Sequence, residues 1–122
     1  MVITRRALSF ISMLLLVGLV TTPCSPAVAS TQTDIIGPAG SGAFGTKLTV
    51  LSNGNFVVAD PYYDDGSTAD VGAVYLYDGR SGELISMLTG STADDWIGYG
   101  GAIALTNGNF VVSSRYWDNG GV

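Results

Sequence analysis

The chain has 122 residues, with ten Asp or Glu, five Lys or Arg, one Cys and no His, for a formal net charge of −5. Without histidine there is no Ser-His-Asp or Cys-His nucleophile system, no His-ligated zinc and no haem on an axial His. Five basic residues argue against a nucleic-acid partner, and a composition that is 47% hydrophobic and 12% charged belongs to a folding chain rather than a disordered one.

Residues 1–29 carry the three parts of a secretory signal: Arg5 and Arg6, an apolar run from Ala7 to Val20, and the small-x-small site Ala27-Val28-Ala29. The run is shorter than the roughly 20 apolar residues of a spanning helix, and Pro23 and Pro26 follow it, so no stable membrane span is expected after cleavage. Thr4-Arg5-Arg6-Ala7-Leu8 is similar to a twin-arginine signal, whereas Met13 to Val17 favours the general secretory route. Cys24 lacks the small and apolar residues that precede a lipidated cysteine. Cleavage after Ala29 leaves 93 residues in which Lys47, Arg80 and Arg115 face ten acids, a net charge of −7, and no cysteine remains. The expected location is secreted or at the cell surface. A domain so small and without disulfides must be stabilised by packing, repetition or a metal.

Residues 30–43 form a Gly-rich leader. Gly40-Ser41-Gly42-Ala43-Phe44-Gly45 spells G-x-G-x-x-G, but it has no strand before it and no helix after it. Gly45-Thr46-Lys47 falls short of a phosphate loop in the same way. No cofactor is expected. Beyond the leader, Lys47 to Leu51 and Phe56 to Ala59 read as strands around Asn53-Gly54, a dipeptide that supplies the positive φ angles of a tight hairpin. Gly72 to Tyr77 alternates Val74 and Leu76 with Tyr75 and Tyr77, the period of a half-buried strand. Asp78 to Gly82 turns the chain into a fourth strand, Glu83 to Thr89.

The sequence then repeats. Leu51-Ser52-Asn53-Gly54-Asn55-Phe56-Val57-Val58 returns as Leu105-Thr106-Asn107-Gly108-Asn109-Phe110-Val111-Val112, with an offset of 54 and seven of eight residues identical. Tyr62-Tyr63-Asp64-Asp65-Gly66 returns as Tyr116-Trp117-Asp118-Asn119-Gly120, and Phe44-Gly45 as Tyr99-Gly100 after a one-residue slip. The second copy predicts strands over Gly101 to Leu105 and Asn109 to Ser113. A period near 50 belongs to stacked supersecondary units such as propeller blades. The predicted fold is all-β, with four-stranded antiparallel blades in a propeller-like array behind a signal-peptide helix. The first repeat spans 44–98 and the second, cut short, 99–122, about one and a half blades in all. Such a piece should leave Val57, Val74, Leu76 and the aromatic residues facing water on one side at least, and it should be completed by further blades in cis or by self-association.

Phe44-Gly45, Asn53-Gly54-Asn55, Phe56-Val57-Val58-Ala59-Asp60-Pro61 and Gly72-Ala73-Val74-Tyr75-Leu76-Tyr77 resemble FG-GAP repeats, the blades of integrin-alpha-type propellers. They are still more similar to a related bacterial tandem repeat of unknown function in large exported proteins. The resemblance implies a propeller. FG-GAP blades often carry an Asp-x-Asn-x-Asp-Gly calcium loop between the first two strands, but Leu51-Ser52-Asn53-Gly54-Asn55 has no carboxylate, so that metal site is not implied.

Two constellations remain. Asp60, Asp64, Asp65 and Asp70 are close enough for one loop to gather them around calcium, or to cap backbone groups in a solvated turn. The second copy has Ser114 and Asn119 in place of Asp60 and Asp65. Tyr62, Tyr63, Tyr116 and Trp117 recur at one loop position, as an aromatic platform for a protein or carbohydrate ligand or as packing between blades. Asp94-Asp95 reads as a solvating turn before Trp96. The expected function is a non-catalytic exported module for adhesion or ligand binding at the cell surface. The alternative is a propeller-scaffold enzyme, such as a hydrolase, lyase or quinoprotein, whose catalytic part lies elsewhere. The missing histidine and the repetition of the most distinctive residues favour the first.

Overall fold

A computed structural model describes residues 32–119. Residues 1–29, for which a signal helix and a cleavage site are expected, lie outside the described residues. The described part is all-β, with no helix among the described residues and hence none long and apolar enough to cross a membrane.

The first repeat is a four-stranded antiparallel sheet whose neighbours follow chain order: β1 (Lys47–Val50), β2 (Phe56–Asp60), β3 (Ala73–Tyr77) and β4 (Leu84–Thr89). The second contributes a hairpin, β5 (Ala102–Ala104) with β6 (Phe110–Val112). The β1–β2 turn is closed by Leu51 N–H donating to Asn55 O at 2.8 Å, Gly54 N–H to Leu51 O at 3.0 Å and Asn55 N–H to Asn53 Oδ1 at 3.0 Å. The β5–β6 turn repeats all three bonds, with Leu105, Gly108 and Asn109 as donors. Of each Asn-Gly pair only the glycine adopts a positive φ, 88° at Gly54 and 83° at Gly108. The asparagine instead bonds the backbone two residues on and holds the turn by its side chain. The β3–β4 turn is shaped by Asp78, whose Oδ1 accepts the N–H groups of Arg80 and Ser81, each at 2.8 Å.

Alternation along β2 and β3 sorts side chains onto two faces, and both faces are covered. On one, Leu51, Val57, Ala59, Val74 and Ile97 form a core against which Leu76, Ala102, Phe110 and Val112 pack. On the other, Val58, Ala73, Tyr75 and Tyr77 are covered by Ile35, Phe44, Phe56 and Tyr63. The expected division of β3, Val74 and Leu76 against Tyr75 and Tyr77, is present, but the strand is buried on both sides rather than half-buried. The expectation that Val57, Val74 and the aromatic residues of β3 face water is likewise corrected, since Val57, Val74, Tyr75 and Tyr77 are buried and Leu76 is partly so. Two coverings that local periodicity does not reveal account for this: the leader on one face and the second repeat on the other. Full burial of each such side chain stabilises the fold by roughly 1.5–3 kcal/mol.

The second repeat stacks on the first through equivalent elements. Lys47 Nζ donates to Tyr99 O at 2.9 Å, Thr49 Oγ1 to Ala102 O at 2.9 Å and Ser52 Oγ to Thr106 O at 3.3 Å. Side-chain donors of one repeat thus meet backbone carbonyls of the next.

Candidate functional site

Pairing across two loops builds the site. Asp94 N–H donates to Ala69 O, Trp96 N–H to Asp70 O and Ile97 N–H to Val71 O, at 3.3, 3.1 and 3.1 Å. This ladder holds Trp96 at φ 48° and Asp94 at φ 64°, left-handed conformations that are strained for a side chain as bulky as tryptophan. Asp95 anchors the same loop from inside. It is buried, and its carboxylate accepts the N–H groups of Ser91 and Thr92 at 2.7 and 2.8 Å and the Thr92 hydroxyl at 2.9 Å. The reading of Asp94-Asp95 as a solvating turn holds for exposed Asp94 and fails for Asp95.

The strained backbone places Trp96 at the centre of an aromatic cluster. Tyr62 meets it edge-on at 6.2 Å, Tyr116 edge-on at 4.8 Å, and Tyr99 stacks at 5.9 Å. Tyr99 and Tyr116 also touch edge-to-face at 5.4 Å, and the Arg115 guanidinium lies 4.8 Å from the Tyr116 ring centre and 5.4 Å from that of Tyr99. Tyr62 and Tyr116 remain exposed, so the cluster is a surface platform with a cation at its edge.

The four aromatic positions singled out in the sequence therefore divide. Tyr62 and Tyr116 reach the platform. Tyr63 turns inward against Tyr75, 6.4 Å between ring centres, and Trp117 lies apart, lining a cleft with Leu88, Ile97 and Val112. Trp96, Tyr99 and Arg115 were not anticipated. Tyr99 carried a signal, its recurrence with Phe44, which marked only the register of the repeat.

The carboxylates of the acidic loop have separate surroundings. Asp60 is buried, and its Oδ1 accepts the Ala43 N–H at 2.7 Å; Ser114, its equivalent, accepts from Gly98 N–H at 3.5 Å. Asp64 Oδ1 accepts the Asp70 N–H at 2.8 Å, and Asp65 pairs with Thr68 through backbone groups. Asp60, Asp64, Asp65 and Asp70 do not converge as calcium ligands, and among the described residues no three His, Cys, Asp or Glu side chains do.

Burial works to raise the Asp95 carboxyl, but the hydrogen bonds from Thr92 and Ser91 outweigh it and hold the group below the usual carboxylate range. Its folded value therefore lies under the unfolded one of about 3.9, so it stabilises the fold above that pH and the contribution is lost as the pH falls through the folded value. A series of thermal melts should show a steady midpoint from about pH 7 to 5 and a decline below about 4. Asp95→Asn should flatten this decline, and an equally steep decline in that variant would remove Asp95 as its source.

Fold and site together define a class of protein, tandem all-β repeats in which one four-stranded sheet is covered by the first hairpin of the next. Residues 50–99 and 104–122 match the family described as "Repeat of unknown function (DUF5650)", and the chain belongs to it. No curated protein and no solved structure shows significant similarity to it.

Proposed function

We propose that this chain is an exported, non-catalytic binding module whose repeats are propeller-type blades of the FG-GAP kind, and that its ligand surface is the platform of Tyr62, Trp96, Tyr99 and Tyr116. The propeller reading is supported by the consecutive order β1-β2-β3-β4 and by the face-on stacking of the second hairpin, the geometry with which blades cover one another. One observation carries the binding role. Tyr62 and Tyr116, equivalent residues of successive repeats, converge from two sides on one tryptophan whose backbone is strained. Strain of this kind is concentrated where a protein binds or reacts.

An exposed aromatic platform with a guanidinium at its edge suits a ligand with flat apolar faces rimmed by hydroxyl groups, so carbohydrate is the favoured class. Titrating the purified chain with soluble β-glucans, xylans and mannans while following tryptophan fluorescence tests this. At least one polymer should give a saturable change, and the double variant Tyr62→Ala, Tyr116→Ala should bind it at least tenfold more weakly, about 1.4 kcal/mol. Each side chain is 40% exposed and packs on Trp96, so near-ultraviolet circular dichroism verifies that the variant keeps its fold. No response to any of the polymers, or binding unchanged in the variant, counts against the proposal.

A further inference from the structure

Besides strand β4, where Leu84, Ile85 and Leu88 are each 51% exposed, two apolar surfaces lie open among the described residues of the two-repeat stack. The first is the outer face of the β5–β6 hairpin, where Ile103 is 63% exposed and Val111 50%, with Leu105 beside them. These residues are the equivalents of Thr49, Val57 and Leu51, at the offset of 54. In the first repeat that face receives Ala102, Phe110 and Val112 of the second. The second surface is a cleft of about 540 Å³ above β1 and β2, walled by Ile35 of the leader and by Phe44 and lined by Leu48, Val50, Phe56 and Val58. Leu48 is 60% exposed and Val50 64%. These four are the equivalents of Ala102, Ala104, Phe110 and Val112, the side from which the second repeat seats on the first.

Each open surface is thus one half of an interface that the chain already makes within itself, and the two halves are opposite ones. We propose that a second copy of this chain docks its β1–β2 cleft onto the Ile103, Leu105 and Val111 face, continuing the stack head to tail. Ile103 replaces the hydrogen-bonding Thr49 of the internal interface, and Leu48 and Val50 replace Ala102 and Ala104. The contact between copies is therefore more apolar than the internal one and projects further from the β1 side. The leader walls the cleft without closing it, so the incoming ridge has an opening to enter. A contact of this type pairs two different surfaces, leaves one of each unoccupied at the ends, and adds copies until the rotation closes a ring.

Light scattering on the full chain, with two substitutions at exposed positions, tests the arrangement. The wild-type mass should rise above that of the monomer as concentration increases. Leu48→Asp spoils the cleft and Ile103→Asp spoils the ridge, so each variant alone should be monomeric. An equimolar mixture should give a species of two copies and no more, because one intact surface of each kind remains and only one pairing is possible. Val111→Asp serves as a second ridge variant, and near-ultraviolet circular dichroism verifies that each variant retains its packing. A monomeric wild type overturns the proposal, as does a single variant that still assembles or a mixture that stays monomeric. Assembly insensitive to every substitution would place the contact elsewhere, at the exposed strand β4, and would equally overturn it.

Discussion

Replacing Tyr75 with alanine is expected to lower stability by about 3–5 kcal/mol, the range for a fully buried aromatic side chain. A domain of this size has on the order of 5–10 kcal/mol in total, so the variant should be largely unfolded at 37 °C. Tyr75 sits at the middle of β3, buried, with Phe44 edge-on at 5.3 Å, Tyr63 at 6.4 Å and Tyr77 at 6.4 Å. Removing it also loosens Phe44, which loses its shorter ring contact and keeps only that with Tyr77 at 6.4 Å. Urea denaturation with paired circular dichroism and fluorescence measures this, and a loss under about 1.5 kcal/mol would mean that the leader does not pack on this face. Burial, then the neighbouring Asp60 carboxylate, push the Tyr75 phenol up, and burial pushes up Tyr77. Raised values mean stabilisation that is complete below the unfolded value of about 10 and is lost as the pH rises through the folded ones, so wild type should unfold in alkali and Tyr75→Phe should resist longer.

Gly72→Val should cost nearly as much, for a different reason. Gly72 has φ 72°, and a Cβ there would lie 2.2 Å from Ile97 N and 2.5 Å from Ile97 O. Left-handed strain contributes roughly 1–2 kcal/mol and overpacking against rigid backbone roughly 1–3 more. Gly54, at φ 88°, has nothing within 4 Å of that position, so Gly54→Ala should bear the strain alone. Chemical denaturation of the two variants side by side separates these contributions. Equal losses would show that the approach of the 90–98 loop to β3 is looser than described.

The strands were legible in the sequence to within a residue or two, because alternation and the turn residues are local signals, and the repeat states β1, β2 and the Asn-Gly turn between them twice. What covered the sheet was not legible. Ile35 and Phe44 lie in a Gly-rich segment without periodicity, and their role depends on the chain folding back over Tyr75 and Tyr77. The same limit applied to the site. Tyr62 and Tyr63 are adjacent and similar, yet one points to the platform and the other to the core, a choice made by contacts with Trp96 and Tyr75 far along the chain. Asp95 had the composition of a surface turn and became a buried anchor because Ser91 and Thr92 wrap their N–H groups around it.

The acceptors that receive Lys47, Thr49 and Ser52 are the carbonyls of Tyr99, Ala102 and Thr106, groups that every amino acid possesses. Mutation cannot delete them, so the receiving side of the junction is protected from substitution while the donating side is not. A later copy can therefore change side chain at an accepting position without deleting the hydrogen bond by which its predecessor holds it. One period later Gly101 and Ile103 stand at the positions of Lys47 and Thr49, and only the position of Ser52 keeps a hydroxyl, as Thr106. Duplication followed by divergence is thus tolerated most readily in the later copy, whose loops are then free to acquire new side chains such as Trp117 without loss of the junction that holds it.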